Sequence, residues 1–450
     1  MAISRRDLLK AATVTAGAAA LAAGAPTAYA EGTTAPVRHP YRVGRWLPQD
    51  QRVLDQWLAE LVEKVDQTTE PLRPVMQELQ DLIESDPTLY MYFHMMFEQV
   101  PDHPPYTRTP TGSPQVRNYR HMIQLINRIL GTAPEFNLSG FVGFPINTII
   151  EWPMGTPAGI AAFLDERVNT QFKKILNEWG VFLKSPASRY VLSSDPKHGW
   201  FGRDARKTMP GFIDDFVCDP AAPFYGFASW DAFFNREFRP GRRPVDAPDD
   251  DNVIVSACES APYRIQRNVK RVNTFWLKGQ PYSLRHIFAD DPVSETFVGG
   301  TIYQAYLGAE NYHRWHAPLS GRIASVRYVD GSYYAQSPAV GFDALSPNGS
   351  QGFITETAAR AIVVIDADNP RIGRTAFISV GMAEVSSNEA TVLPGQHVVK
   401  GEQMGMFHYG GSANLLIFRP GVNLRFDLHG QEPGLTAKNI RVRDRLAVVR

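Results

Sequence analysis

Near its C-terminus the chain carries Gly410, Gly411 and Ser412 in the run MFHYGGSA (406–413), and well upstream the run YHRWHAPLSG (312–321) holds His313 and His316. A serine hydroxyl can attack the carbonyl before it and move the acyl group from nitrogen to oxygen. Glycine on the acyl side removes a Cβ and permits the unusual backbone angles of such an attack. β-Elimination of the ester then leaves dehydroalanine, which hydrolyses to a pyruvoyl group. A ketone made from the chain itself can form a Schiff base with an amino acid and drain electrons from it, as pyridoxal phosphate does. The pattern predicts cleavage between Gly411 and Ser412, with Ser412 the precursor of a covalent pyruvoyl cofactor. Taken alone the triplet is weak, because Gly-Gly-Ser is common in ordinary turns.

Such a serine needs a base, and histidine titrates near working pH. His316 is the natural choice, and His316 or His408 is placed to supply a proton later in the reaction. Glu259, in the run ACES (257–260), is a carboxylate able to orient His316 as the third member of a Ser/His/acid set. The plain alternatives are a hydrogen-bonded core histidine and a surface glutamate. His313 and His316, three apart, also have the spacing of a metal pair. No HExxH pattern or Cys ligand pair accompanies them and Pro318 argues against a long helix, so no metal is expected. Phe275, Trp276 and Trp315 have the character of a ring pocket or of core. Cys258 reads as a small packed residue.

The elements that must position these groups fall in two blocks. Val53, Leu54, Trp57, Leu58, Leu61, Val62 and Val65 share one face of a 3.6-residue period, and Met76, Leu79, Leu82 and Ile83 continue it up to Asp86-Pro87. Met122–Leu130 reads as helix. The longest helix is expected from Ala158 to Leu183, with Leu164, Val168, Phe172, Ile175, Leu176 and Trp179 inward. Residues 100–117 read as loop. After residue 200 short strand-like runs appear: 253–256, 296–307, 321–329, 361–365, 375–380 and 415–418, with Gly395, Gly401 and Gly405 at turns. The expected fold class is α+β, a mostly helical domain over 46–185 followed by a largely β catalytic domain over 200–450.

A chain of 450 residues is longer than one core usually holds. Lys plus Arg and Asp plus Glu both number 46, which gives no reason to expect a nucleic-acid partner. Two cysteines, Cys218 and Cys258, are too few for a disulfide framework. The N-terminal run SRRDLLK (4–10), a mild apolar stretch and Ala28-Tyr29-Ala30 have the layout of a signal peptide over residues 1–30, and the arginine pair has that of twin-arginine export. The mature chain would then begin at Glu31 and work in the periplasm or outside the cell. No later run is long and apolar enough to anchor it in a membrane.

Four ordered runs give these features a common context. WDAFFNREFRPGRRP (230–244), LKGQPYSL (277–284), YHRWHAP (312–318) and the KGE…GMF…GS block (400–412) resemble the catalytic domain of the phosphatidylserine decarboxylase family. That resemblance implies autocatalytic cleavage before Ser412, a β chain of 31–411, an α chain of 412–450, and a pyruvoyl group with His316 and an acid assisting. The chain departs from the phospholipid enzymes at Glu259, where they carry Asp, and at Gly-Gly-Ser-Ala. With WGVFL (179–183), APFYGF (222–227), ACES and GMFHYGGS (405–412), these departures resemble the soluble branch of the family, that of the fungal tryptophan decarboxylases. The branch implies a free aromatic amino acid as substrate. Phosphatidylserine at a membrane surface, and a non-catalytic binding protein on the same scaffold, are the alternatives.

Overall fold

The structure, a computed structural model, describes residues 51–68, 70–102, 115–136, 144–274, 281–308, 310–336, 350–384, 387–409 and 411–450. The export-signal residues, the lead 31–45, Phe275, Trp276 and Gly410 lie outside the described residues. All described residues fall in one compact unit.

The apolar period over 53–65 makes α1 (Gln51–Gln67), which buries Leu54, Leu58, Leu61 and Val65. α2 (Pro74–Ser85) buries Met76, Leu79 and Ile83 and stops at Asp86. The Asp86 carboxylate accepts from the Thr88 and Leu89 N–H groups and so starts α3 (Pro87–Glu98). α4 (Tyr119–Ile129) opens on an Asn118 cap, and α5 (Pro145–Met154) follows.

The stretch expected to be one helix from Ala158 to Leu183 is two, α6 (Pro157–Leu164) and α7 (Glu166–Lys184). Asp165 divides them. Its backbone is extended and its carboxylate accepts from the Arg167 and Val168 N–H groups, so a strong local cap outweighs the continuity of the apolar stripe. Leu164, expected inward, is 40% exposed, whereas Val168, Phe172, Ile175 and Trp179 are buried. Five short helices follow: α8 (Arg203–Thr208), α9 (Phe212–Asp215), α10 (Trp230–Phe234), α11 (Leu284–Ile287) and α12 (Gln351–Thr357). No described helix is long and apolar enough to cross a membrane.

From Val253 onward the chain is mainly β. The strands are β1 (Val253–Val255), β2 (Ala261–Arg267), β3 (Thr301–Leu307), β4 (Arg314–His316), β5 (Gly321–Val329), β6 (Arg360–Ala367), β7 (Arg374–Met382), β8 (Ser387–Ala390), β9 (His397–Val398), β10 (Gln403–His408), β11 (Gly411–Phe418), β12 (Leu424–Phe426) and β13 (Arg445–Val449). Seven of them form one antiparallel sheet in the order β2-β3-β11-β7-β6-β5-β9. Two smaller sheets run β4-β10-β8 and β1-β13-β12. The fold class is therefore α+β. Gly395 and Gly401 turn the chain with φ of +86° and +84°, but Gly405, expected at a turn, lies inside β10. A Cβ on Gly405 would fall 2.2 Å from the Glu389 carbonyl and 2.5 Å from the Trp315 indole, so the glycine makes room both for the neighbouring strand and for a ring.

One buried contact ties the helical region to the large sheet. α5 begins after Phe144, which has no side-chain acceptor to cap it. Glu384, just past the end of β7, supplies one: its Oε1 accepts from the Asn147 N–H at 2.9 Å. Burial pushes the Glu384 carboxyl up to about 7, against the lowering effect of the N–H groups it accepts from. Burial, with Asp55 nearby, pushes Glu151 of α5 up to about 8.

Two outcomes are expected. Asp165→Ala should lower the unfolding free energy in a urea titration by about 1 kcal/mol, while Asp165→Asn keeps most of it. Glu151 and Glu384 bind protons more tightly folded than unfolded, so stability should fall as pH rises from the ordinary carboxylate range through 7 and 8. Melting temperatures measured across that window should drop, and Glu151→Gln or Glu384→Gln should each flatten the slope; an unchanged slope in both would refute the assignment.

Candidate active site

Ser412 is the second residue of β11, between β3 and β7. It stands opposite Leu307 on one side and Gly381 on the other, and Gly411 stands opposite Met382. The side chain is fully buried and its Oγ has no hydrogen-bond partner among the described residues. A buried hydroxyl left unpaired costs about 1–3 kcal/mol, so its place is not explained by stability. An orphaned hydroxyl directly after a glycine carbonyl fits the precursor of a pyruvoyl group.

The run Ala257–Ser260 bonds to β4 at one end and to β11 at the other. The His316 N–H donates to the Ala257 carbonyl at 2.8 Å, and on the other side Asn414 Nδ2 donates to Ser260 Oγ at 3.2 Å. Asn414 shares a face of β11 with Ser412, two residues away. The backbone of the expected acid segment is therefore in the site, but the acid itself points elsewhere. Glu259 forms a two-pronged pair with Arg243, Nε to Oε2 at 3.0 Å and Nη2 to Oε1 at 2.8 Å, and Arg243 also reaches Asp215. The expected Glu259–His316 bond is replaced because a guanidinium matches both carboxylate oxygens at once.

His316 finds a different orienting group. Its Nδ1 is 2.9 Å from the Gly401 carbonyl and its Nε2 is 2.9 Å from the Tyr312 hydroxyl. Arg443 Nε also donates to the Gly401 carbonyl at 2.9 Å, and its Nη2 lies 3.2 Å from His316 Nδ1. The Gly401 carbonyl asks Nδ1 to donate and the Arg443 guanidinium asks it to accept; the carbonyl contact is the shorter, and with the proton on Nδ1 the basic nitrogen is Nε2, accepting from Tyr312. Burial, with the Arg443 cation beside it, lowers the His316 pKa to about 3 and keeps the ring neutral.

His313 and His316 do not converge on one point. An odd spacing along extended chain sends side chains to opposite faces, which removes the metal-pair reading. The buried His313 ring stacks on Phe234 at 3.7 Å, and Phe234 also contacts Tyr409 at 5.9 Å. The His313 carbonyl accepts from the Phe407 N–H at the end of β10 that leads to Ser412. His408 lies between Asp231 (Nδ1, 3.0 Å) and Glu389 (Nε2, 2.6 Å). Burial works against its charge, but the two carboxylates prevail and raise its pKa. Among the described residues no cluster of His, Cys, Asp and Glu is arranged to hold a metal.

Trp315 is core rather than pocket wall: fully buried, it packs on Phe377 and Phe407. Cys218 and Cys258 are both free thiols, and Cys258 is fully buried. The residues that sequence reasoning passed over are Tyr312, the Gly401 carbonyl, Arg443, Asn414 and Tyr409. Tyr409 stands just before the glycine pair with φ of +45°, a left-handed conformation that costs a residue with a Cβ about 1–2 kcal/mol.

Comparison with known proteins agrees with this architecture. Two phosphatidylserine decarboxylase family profiles match, one over residues 73–209 and one over residues 230–443. The chain is 35% identical to the L-tryptophan decarboxylase of Psilocybe cubensis over 92% of its own length and 96% of that protein's. It is 36% identical to the L-tryptophan decarboxylase of Psilocybe cyanescens, over 93% and 97%. With decarboxylase iboD of Amanita muscaria it shares 39% identity over 72% of this chain and 99% of that one. A helical region, a β region that holds Ser412, and matches running through both place the chain in the phosphatidylserine decarboxylase family, on the branch of the fungal tryptophan decarboxylases, as a carboxy-lyase.

Proposed function

We propose that this decarboxylase cleaves itself between Gly411 and Ser412 and uses the resulting pyruvoyl group to release CO2 from a free aromatic L-amino acid, tryptophan first. The observation that carries the cleavage is the buried Ser412 hydroxyl, directly after a glycine carbonyl, with no hydrogen-bond partner among the described residues. Likeness to the fungal enzymes across nearly the whole chain supports the substrate class.

In this reading Ser412 Oγ attacks the Gly411 carbonyl and the peptide becomes an ester. His316 is assigned as base: burial keeps it neutral, and the Tyr312 hydroxyl that donates to its Nε2 is the group through which it would reach Ser412. Gly401 takes the orienting role expected of Glu259. Elimination frees the Gly411 carboxylate, and hydrolysis of the new dehydroalanyl end releases ammonia. The ketone so formed supplies an electrophile for an amine and a sink for the electrons left when CO2 departs. His313, on the Phe234 side next to Tyr409, is assigned the return of a proton to substrate. Residues 412–450 stay bound after the cut, because β11 is paired on both edges and β13 pairs with β1. The N-terminal pattern supports twin-arginine export and work outside the cytoplasm.

Purified protein should run as two fragments, the smaller beginning at residue 412 with a blocked N-terminus. Its mass should be about 17 Da below that of the same peptide with a free serine. Ser412→Ala should remain one chain and release no CO2. Substrate is read from CO2 release with free tryptophan or phenylalanine, without pyridoxal phosphate, metal or lipid, against phosphatidylserine vesicles. Turnover of the phospholipid alone would replace the amino-acid reading with the alternative substrate.

A further inference from the structure

Two residues with a Cβ adopt left-handed backbone beside the Ser412–Gly381 rung. One is Tyr409, at +45°, three residues before Ser412; the other is Ala383, at +54°, two residues after Gly381. Such angles persist in non-glycine residues only where the surroundings hold them. At Tyr409 the holding contacts come from two helices, α7 and α10.

The Tyr409 ring is buried between two indoles. Trp179 of α7 meets it edge-on at 4.8 Å and 87°, and Trp230 of α10 at 4.6 Å and 86°. Each indole is itself fixed. Trp179 Nε1 donates to the Thr132 carbonyl at 2.8 Å, while the Trp230 N–H donates to Ser188 Oγ at 2.9 Å and its ring stacks on Phe234 at 5.1 Å. On the neighbouring strand, Ala383 leads into Glu384, whose carboxylate caps α5 at Asn147.

We propose that the helical region positions the cleavage segment, with Tyr409 as the positioning residue: Trp179 and Trp230 hold its ring, and the ring holds the backbone left-handed on the approach to the Gly411–Ser412 bond. This rests on the self-cleavage reading above. It gives the helical region a role in maturation rather than only in burial.

The test compares Tyr409→Ala with Tyr409→Gly in the full chain. Both delete the same ring and leave the same space, but glycine reaches positive φ without the clamp. Precursor is followed into two fragments on a gel over time, with a thermal melt of each variant. The Ala variant should cleave on the order of ten-fold more slowly than the Gly variant, the rate factor matching the left-handed penalty. The Gly variant should stay near the wild-type rate, and an Ala variant that also keeps the wild-type rate would mean that the ring does not hold the backbone. Equal rates, or wild-type rates in both, would overturn the proposal. If neither variant melts cooperatively, Trp179→Phe decides: slower cleavage with a wild-type-like melt supports the clamp, and a wild-type rate overturns it. A wild-type chain that never cleaves removes the self-cleavage reading itself, a result distinct from any of these.

Discussion

The register of β11 is the constraint on which the rest depends. The strand is bonded along both edges, to β3 and to β7, from Ser412 to Phe418. Its side chains alternate between two buried faces, so a slip of one residue would put Ala413 where Ser412 stands. Apolar rungs below the serine, such as Leu416 between Tyr303 and Phe377, prevent the slip. The position of Ser412 is thus set by the packing of apolar neighbours. Because Ser412 is near the start of the strand, a break before it leaves almost the whole ladder intact.

Around that strand the polar groups are arranged by backbone carbonyls and arginines more than by carboxylates. Gly401 receives both the His316 ring proton and Arg443. Arg236, fully buried, donates to the carbonyls of Glu310 and Asn311, just ahead of Tyr312 and the histidine run. Burial draws its pKa down to about 10, still a cation at neutral pH. It lies over the rings of Phe212, Phe216 and Phe233, which solvate a guanidinium better than alkane would. The motif over 230–244 is accordingly a brace: Arg236 fixes the segment that carries Tyr312, and Arg243 takes Glu259 away from His316.

Local signals were legible wherever one stretch of chain carries the whole cause. The apolar period predicted α1 and α2, Asp86-Pro87 predicted the break between α2 and α3, and the runs at 321–329 and 375–380 became β5 and β7. The break at Asp165 was equally local, an acid able to cap followed by Glu166, but the longer apolar stripe masked it. Gly405 failed for a different reason. A glycine in a strand and a glycine in a turn look alike until the ring that needs the space, Trp315, is brought against it.

The sequence by itself determined the pattern from which the chemistry is proposed: a serine after two glycines, histidines in one run, and a helical block before a β block, all readable because covalent neighbours and residue types travel with the chain. Only the tertiary structure decided which partners those groups have. It put the Gly401 carbonyl on His316, Arg243 on Glu259, two carboxylates on His408 and two tryptophans on Tyr409. Most of these pairings join residues far apart in sequence. Hydrogen-bond geometry and burial act through space, and a list of residues carries no distances.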